Sequence, residues 1–349
     1  SLSSITIPDS VTSIGSSAFY GCTSLSSITI PDNVTSIGLS AFDNCSELKS
    51  AHVGDGVEYI YREAFYKCSK MTDIYIGKSV KQIFALAFGY CNALERVDIS
   101  DMAAWTQIRF YEDSVTTSGG KLDTTTNASY YHKYYKDNNP LSLAHNQYLN
   151  GELVTELTIP TGVDRIAPLA FLNADCITKV TIPNGLTKIG FFAFHLCDGL
   201  KTITLSNSVE EIGNRAFSTC TSLTRLNIPD GTKSIGDYTF YNCDALKSVN
   251  ISNSVTSIGL AAFYECNALT NVSIGSGIKS IGSDAFRSCN NLGLVYCAAV
   301  NVPTLGGAYV FSNNASDRKI YVPVGSIDAY KANGYWNDYS SAILGYEFE

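Results

Sequence analysis

Apolar residues return along this chain at a fixed interval of 23 positions, with polar residues between them. One copy runs Leu25, Ile28, Ile30, Val34, Ile37, Ala41, Phe42 and Cys45. Ile28 and Ile30 flank Thr29, an alternation that predicts a short strand with one buried face. Pro31 follows, and the equivalent position holds proline at 8, 160, 183 and 229 and glycine at 54, 77 and 275. Proline ends a strand because it has no N–H to give to the ladder. Cysteines at 22, 45, 68 and 91, then 197, 220, 243, 266 and 289, keep the same beat. So do phenylalanines at 19, 42, 65 and 88, then 171, 194, 217, 240, 263 and 286, nearly all after alanine. Glycine at 15, 38, 190, 213, 236, 259 and 282 follows an isoleucine. A corner of a coil is expected there, with a backbone conformation that a side chain would hinder.

The Leu25, Ile28, Ile30 spacing is that of a leucine-rich repeat, whose period of about 20 to 29 residues includes 23. One coil alone would leave its apolar ring wet on both sides, so the copies must stack. Ile7, Ile30, Val53, Ile76, Ile99, Ile159, Ile182, Leu205, Ile228, Ile251 and Ile274 mark eleven regular rungs, and Cys297 and Ile320 two weaker ones. The expected fold is therefore an α/β repeat solenoid, a right-handed superhelix with parallel strands, of about eleven 23-residue repeats plus an irregular C-terminal cap.

Two stretches leave the beat. Ile99 and Ile159 lie 60 residues apart, one period plus 37. This segment holds Ala104-Trp105, a polar stretch over 116–129, the cluster Tyr130-Tyr131-His132-Lys133-Tyr134-Tyr135, then Asn139-Pro140-Leu141. Asn150-Gly151 after Tyr148-Leu149 signals a hairpin. Past Phe286 the pattern fades through Val302-Pro303 and Ile320-Tyr321-Val322-Pro323, which reads as a cap over the last apolar ring, with Trp336 packed onto it. The expected divisions are repeats over 1–99, an irregular repeat with insertion over 100–153, repeats over 154–292 and a cap over 293–349.

Charge narrows the function classes. A net charge of −8 and a 16% share of charged residues leave no basic stripe for nucleic acid. No apolar run approaches the roughly 20 residues of a membrane span, so no membrane insertion by this chain is expected. Ser1 to Pro8 reads as the second half of a repeat, and the chain is expected to be cut from a longer protein whose signal peptide is missing here.

Candidate chemistry is sparse. Neighbouring rungs put like side chains about 4.7 to 4.9 Å apart, wider than the roughly 3.5 to 4.5 Å between disulfide Cβ atoms, so the cysteines read as buried thiols. His52, His132, His145 and His195 share no metal-ligand spacing, and no metal or cofactor is expected. Ser118-Gly119-Gly120-Lys121 lacks the first glycine of a phosphate loop. Glu210-Glu211 falls on a coil corner, where a charge is solvated. A hydrolytic site in the insertion would need a carboxylate pair about 5 to 10 Å apart. No spacing singles one out among Glu112, Asp113, Asp123 and Asp137. The chain is not read as an enzyme.

The outward strand positions are more informative. One column reads Thr29, His52, Tyr75, Asp98, and its neighbour Ser27, Ser50, Asp73, Arg96; elsewhere both are mostly small and polar. His52, Asp73, Tyr75, Arg96 and Asp98 form a candidate ligand-binding patch, with Tyr131 and Tyr134 of the insertion as further candidates. Packing of the same residues under the inserted segment is the competing reading, as an aromatic strand covering the core is for the tyrosine cluster.

With its Ile-x-x-x-Ala-Phe blocks over residues 1–292, the chain resembles the BspA-like leucine-rich repeat proteins of bacterial cell surfaces. Ala104-Trp105, Asn139-Pro140-Leu141 and Tyr148 to Val154 resemble that family's irregular repeat, and Ile320 to Lys331 its usual ending. The resemblance implies a secreted or surface-attached protein, with adhesion to host proteins or other bacteria as the expected role. Expected partners are a host extracellular protein, a microbial surface protein or a glycan, with the chain itself a monomer. The alternatives are a non-binding stalk of a larger surface protein and a hydrolytic enzyme.

Overall fold

The computed structural model describes residues 2–110 and 137–348. The stretch 116–129, the Tyr130 to Tyr135 cluster including Tyr131 and Tyr134, and Glu112, Asp113 and Asp123 lie outside the described residues. The chain divides into two compact units, Ser1–Thr155 with Ala167–Cys176, and Glu156–Ile166 with Ile177–Glu349. Both are built of stacked parallel-strand coils, about 13 turns in all with little helix, the leucine-rich repeat solenoid that the spacing predicts.

In the first unit, β1 (Ser27–Ile30), β2 (Ser50–Val53), β3 (Asp73–Ile76) and β4 (Arg96–Ile99) pair in parallel, shifted by one period from each to the next. Ile28 and Ile30 are buried between exposed neighbours, as a half-buried strand requires. Leu25, Val34, Ile37, Ala41, Phe42 and Cys45 complete the same buried ring. Phe19, Phe42, Phe65 and Phe88 form a face-to-face column, with ring centroids 5.0 to 5.4 Å apart. Where Gly54 stands in place of proline, its N–H does donate, to the Ile30 carbonyl at 3.0 Å.

The return arm of each coil is a run of tight turns, and its hydrogen bonds alternate. Ala41, Asp43 and Cys45 donate three residues back, while Ser40, Phe42 and Asn44 donate to Arg62, Ala64 and Tyr66 of the next rung. A helix would direct every N–H along its own axis, so it could not zip neighbouring coils this way. Ser40 and Asn44 take left-handed backbone angles (φ 50° and 59°) to turn alternate N–H groups outward. The glycine after each isoleucine is explained differently from the corner conformation expected. Gly38 and Gly259 are not left-handed; a Cβ there would lie 2.7 and 2.5 Å from the backbone of the preceding rung.

Within the insertion, Asp101 caps α1 (Met102–Trp105) by accepting from the Ala104 N–H at 2.9 Å. The Trp105 indole is buried and donates to the Ala170 carbonyl at 2.8 Å. After α2 (Leu141–Ala144), β5 (Gln147–Leu149) joins β4 in parallel and turns back on β6 (Glu152–Leu153). Asn150 and Gly151, both at positive φ, make the hairpin turn that the Asn-Gly pair predicts.

The second unit carries β7 (Glu156–Thr158), β8 (Lys179–Thr181), β9 (Thr202–Thr204), β10 (Arg225–Ile228), β11 (Ser248–Ile251) and β12 (Asn271–Ile274). The sheet continues into the tail through β13 (Leu294–Cys297), β14 (Lys319–Pro323) and β15 (Ile343–Tyr346). A helix, α3 (Ile327–Ala332), precedes a 3-10 helix over Gly334–Ala342. Trp336 from this stretch lies buried against Phe311, its ring 5.8 Å away, and donates to the Pro303 carbonyl at 2.7 Å. The last phenylalanine of the second column is thereby covered.

Candidate functional site

Strand register in the first unit places Thr29, His52, Tyr75 and Asp98 in one outward row and Ser27, Ser50, Asp73 and Arg96 in the next. Ile28, Ala51, Ile74 and Val97, which alternate with them, are buried. All five patch residues predicted here, His52, Asp73, Tyr75, Arg96 and Asp98, line one shallow recess of about 240 Å³. Tyr131 and Tyr134 lie outside the described residues.

The recess has two halves. His52 and Tyr75 stack with ring centroids 4.2 Å apart and planes 6° from parallel. Because they are one rung apart, each ring offers only one face to its partner. Asp73, exposed beside them, accepts from the Thr72 hydroxyl at 2.6 Å. Arg96 and Asp98 form an ion pair at 2.8 Å, and that hydrogen bond from Arg96 to Asp98 holds the guanidinium above its ordinary pKa.

The hairpin engages this second half. The Arg96 guanidinium lies 4.0 Å over the Tyr148 ring. Asp98 also accepts from the Gly151 N–H at 3.1 Å. Arg96 and Asp98 therefore hold the hairpin in place, while His52, Tyr75 and Asp73 are left facing outward. Tyr148 escaped the sequence reading because it follows Asp98 in the row by 50 residues rather than 23. Its place in the sheet row becomes visible only when the strand pairing is known.

Elsewhere among the described residues of the first unit, a histidine meets a carboxylate. His145 Nδ1 is 2.7 Å from Asp175 Oδ2, and its Nε2 is 3.2 Å from the Asn173 amide nitrogen. Both ring nitrogens are thus engaged, at a residue in the left-handed conformation that ends α2. Nearby Cys176 has its thiol pKa raised by burial, the opposite of what a nucleophilic thiolate needs. Among the described residues there is no group of three or more His, Cys, Asp or Glu side chains placed to hold a metal ion. No helix among them is long and apolar enough to cross a membrane.

These features can be set beside known proteins. Residues 1–115, 142–266 and 210–334 match the family model for the BspA type leucine-rich repeat region. No curated protein matches the chain. Three solved structures share the architecture. A leucine-rich repeat protein from Bacteroides ovatus is 21% identical over 97% of this chain and 88% of its own, with a TM-score of 0.52. A leucine-rich cell surface protein from Faecalibacterium prausnitzii is 25% identical over 97% and 89%, with a TM-score of 0.50. A leucine-rich repeat protein from Eubacterium ventriosum is 21% identical over 87% and 80%, with a TM-score of 0.53. The repeat model covers most of the residues, and the coils described above are its units; the chain belongs to the BspA type leucine-rich repeat family.

Proposed function

We propose that this chain is an extracellular, secreted or surface-attached binding protein that recognises a ligand through the outward strand face of its coils. The observation that carries the reading is the stacked His52–Tyr75 pair beside Asp73, on rows that begin with Thr29, Ser27 and Ser50. A solvated sheet face has no structural need of two aromatic rings, whereas interfaces favour them. The description of the Faecalibacterium relative as a cell surface protein supports the location. The ligand is a host extracellular protein, a microbial surface protein or a glycan.

Arrays of extracellular proteins, bacterial surface fractions and glycans, probed with the purified chain, test this. The doubly substituted His52→Ala, Tyr75→Ala chain and a variant lacking residues 111–136 are run in parallel. Loss of at least about tenfold in affinity on the double substitution, about 1.4 kcal/mol, is the expected result. Unchanged binding by that variant removes the patch from the reading, and no binding by the parent chain favours a stalk.

A further inference from the structure

We infer that the second unit carries a separate binding groove for a neutral oligosaccharide, walled by tail aromatics and floored by an asparagine ladder. The inference rests on different residues from the patch of the first unit and stands or falls independently of it. The groove encloses about 550 Å³ along the outward face of β10 to β13, within the roughly 300 to 1,000 Å³ usual for small-ligand sites.

Its floor is a single row. Asn227, Asn250, Ser273 and Tyr296 occupy matching positions on successive strands. The Asn250 amide donates to the Asn227 carbonyl oxygen at 2.8 Å. That bond still leaves Asn227 with two N–H donors and Asn250 with an acceptor, both on exposed residues. Paired donors and acceptors at fixed spacing are what vicinal hydroxyls require.

The wall comes from the tail. Tyr296 and Tyr321 stack at 4.9 Å, Tyr346 stands edge-on to both at 5.4 and 5.7 Å, and Phe348 packs on Tyr346 at 4.9 Å. Tyr346 is nevertheless 44% exposed. An aromatic face held upright beside hydrogen-bonding amides offers the apolar C–H face of a sugar ring a stacking surface while the amides take its hydroxyls.

Charge and repeat length choose among ligands. Among the described residues Asp230 is the one charged residue lining the groove, and a negative charge does not attract a sulfated or otherwise anionic polymer. Rungs repeat at about 4.8 Å, whereas residues of an extended peptide follow at about 3.4 Å and their same-side groups at about 6.8 Å, so a peptide lying along the row falls out of step with the rungs.

The test is calorimetric titration of the full chain with cellohexaose, mannohexaose, xylohexaose and chitohexaose, with a heparin hexasaccharide and an extended neutral octapeptide as the other arms. At least one neutral hexasaccharide is expected to bind with Kd below about 1 mM. The Tyr346→Ala, Phe348→Ala pair should weaken it at least about tenfold and Asn250→Ala at least about threefold. Asn250→Ala alters an exposed side chain inside the array and keeps the test independent of tail folding, which thermal melts of every variant monitor. Failure of all four neutral sugars, preference for heparin or the peptide, or full affinity in folded variants lacking Tyr346 or the Asn250 amide would overturn the inference.

Discussion

The Cys220 thiol donates to the carbonyl oxygen of Phe194, 26 residues earlier, at 3.2 Å. The bond recurs from Cys68 to Phe42, Cys91 to Phe65, Cys243 to Phe217 and Cys289 to Phe263. Each thiol thus fills a small apolar gap and also satisfies a carbonyl of the preceding coil. None of the eleven cysteines is in a disulfide, and nine are buried. Alkylation of the native protein near neutral pH is expected to reach Cys22 and Cys176 first, both partly exposed, and all eleven in denaturant. Mass spectrometry after timed labelling checks this; rapid native labelling of Cys220 would contradict it.

Burial also makes the thiols a source of alkaline instability. It pushes the Cys45 pKa up to about 11 and that of Cys243 up to about 12, from 9.0, and those of Cys220 and Cys266 in the same direction. Below about pH 9 both folded and unfolded chains keep the protons, so these groups impose no pH dependence. Between about 9 and 12 the unfolded chain releases them and the folded chain does not, so stability falls as pH rises, by roughly 1 kcal/mol per pH unit for each such thiol. Denaturant titrations at a series of pH values should show the decline, and Cys243→Ala should make it shallower.

Phe217 has no exposed surface and lies between Phe194 and Phe240, its ring 5.1 and 5.5 Å from theirs. Phe217→Ala should cost about 3 to 5 kcal/mol, because coils held above and below cannot collapse into the cavity. A denaturation curve matching the parent's would remove Phe217 from the core.

How much of this was legible follows from which groups repeat. Ile28, Phe42 and Cys45 recur at 23 because each fills the same layer, so the coil, the strand and the buried ring could be read directly. Asn150-Gly151 was equally legible, since the turn itself demands those residues. The return arm was less so: its first left-handed position holds Ser40, Glu63, Leu86, Arg215 and Tyr238, which no residue type marks, and the second holds Asn44, Asn173 and Asn242 but also Lys67, Tyr90 and Leu196. The N–H groups of Ser40, Phe42 and Asn44 that tie this arm to the next rung all find backbone carbonyls, so those bonds leave no trace in side-chain identity. The candidate patch was legible as a departure from Ser and Thr, but its division was not, because Tyr148 reaches Arg96 through pairing that the insertion hides. Tyr346, at the groove of the second unit, lies on a tail strand with no repeat signal.

Those left-handed positions give a prediction of unusual sign. Thr219 sits at φ 60° and its N–H donates to the Tyr241 carbonyl of the next coil at 2.7 Å. A β-branched residue is strained in this region, so Thr219→Gly should stabilise the protein, by about 1 kcal/mol after the added flexibility of the unfolded chain. Gly231→Ala should do the reverse, losing about 2 to 4 kcal/mol, because the new Cβ would fall 1.7 Å from the Asn207 carbonyl oxygen. Paired chemical denaturation of the two variants decides both signs.

Asn139 closes the irregular repeat from within. It is fully buried. Its amide donates to the Leu169 carbonyl at 2.8 Å, its side-chain oxygen accepts from the Leu141 N–H at 2.9 Å, and its own carbonyl accepts from the Ser142 hydroxyl at 2.8 Å. Removing the side chain would leave a backbone donor and a backbone acceptor buried without these partners, each costing about 1 to 3 kcal/mol. Asn139→Ala is expected to lose about 2 to 4 kcal/mol. Asn139→Asp should lose more, since a carboxylate cannot donate to Leu169 and would bring a charge into a buried site. The loss for Asn139→Asp should shrink as pH falls through the carboxyl's raised pKa, because the protonated acid regains a donor and sheds its charge, while that for Asn139→Ala stays constant. Denaturation of both variants at pH 5 and pH 8 separates a hydrogen-bonding role from simple packing, and a Asn139→Asp chain as stable as the parent at pH 8 would exclude the former.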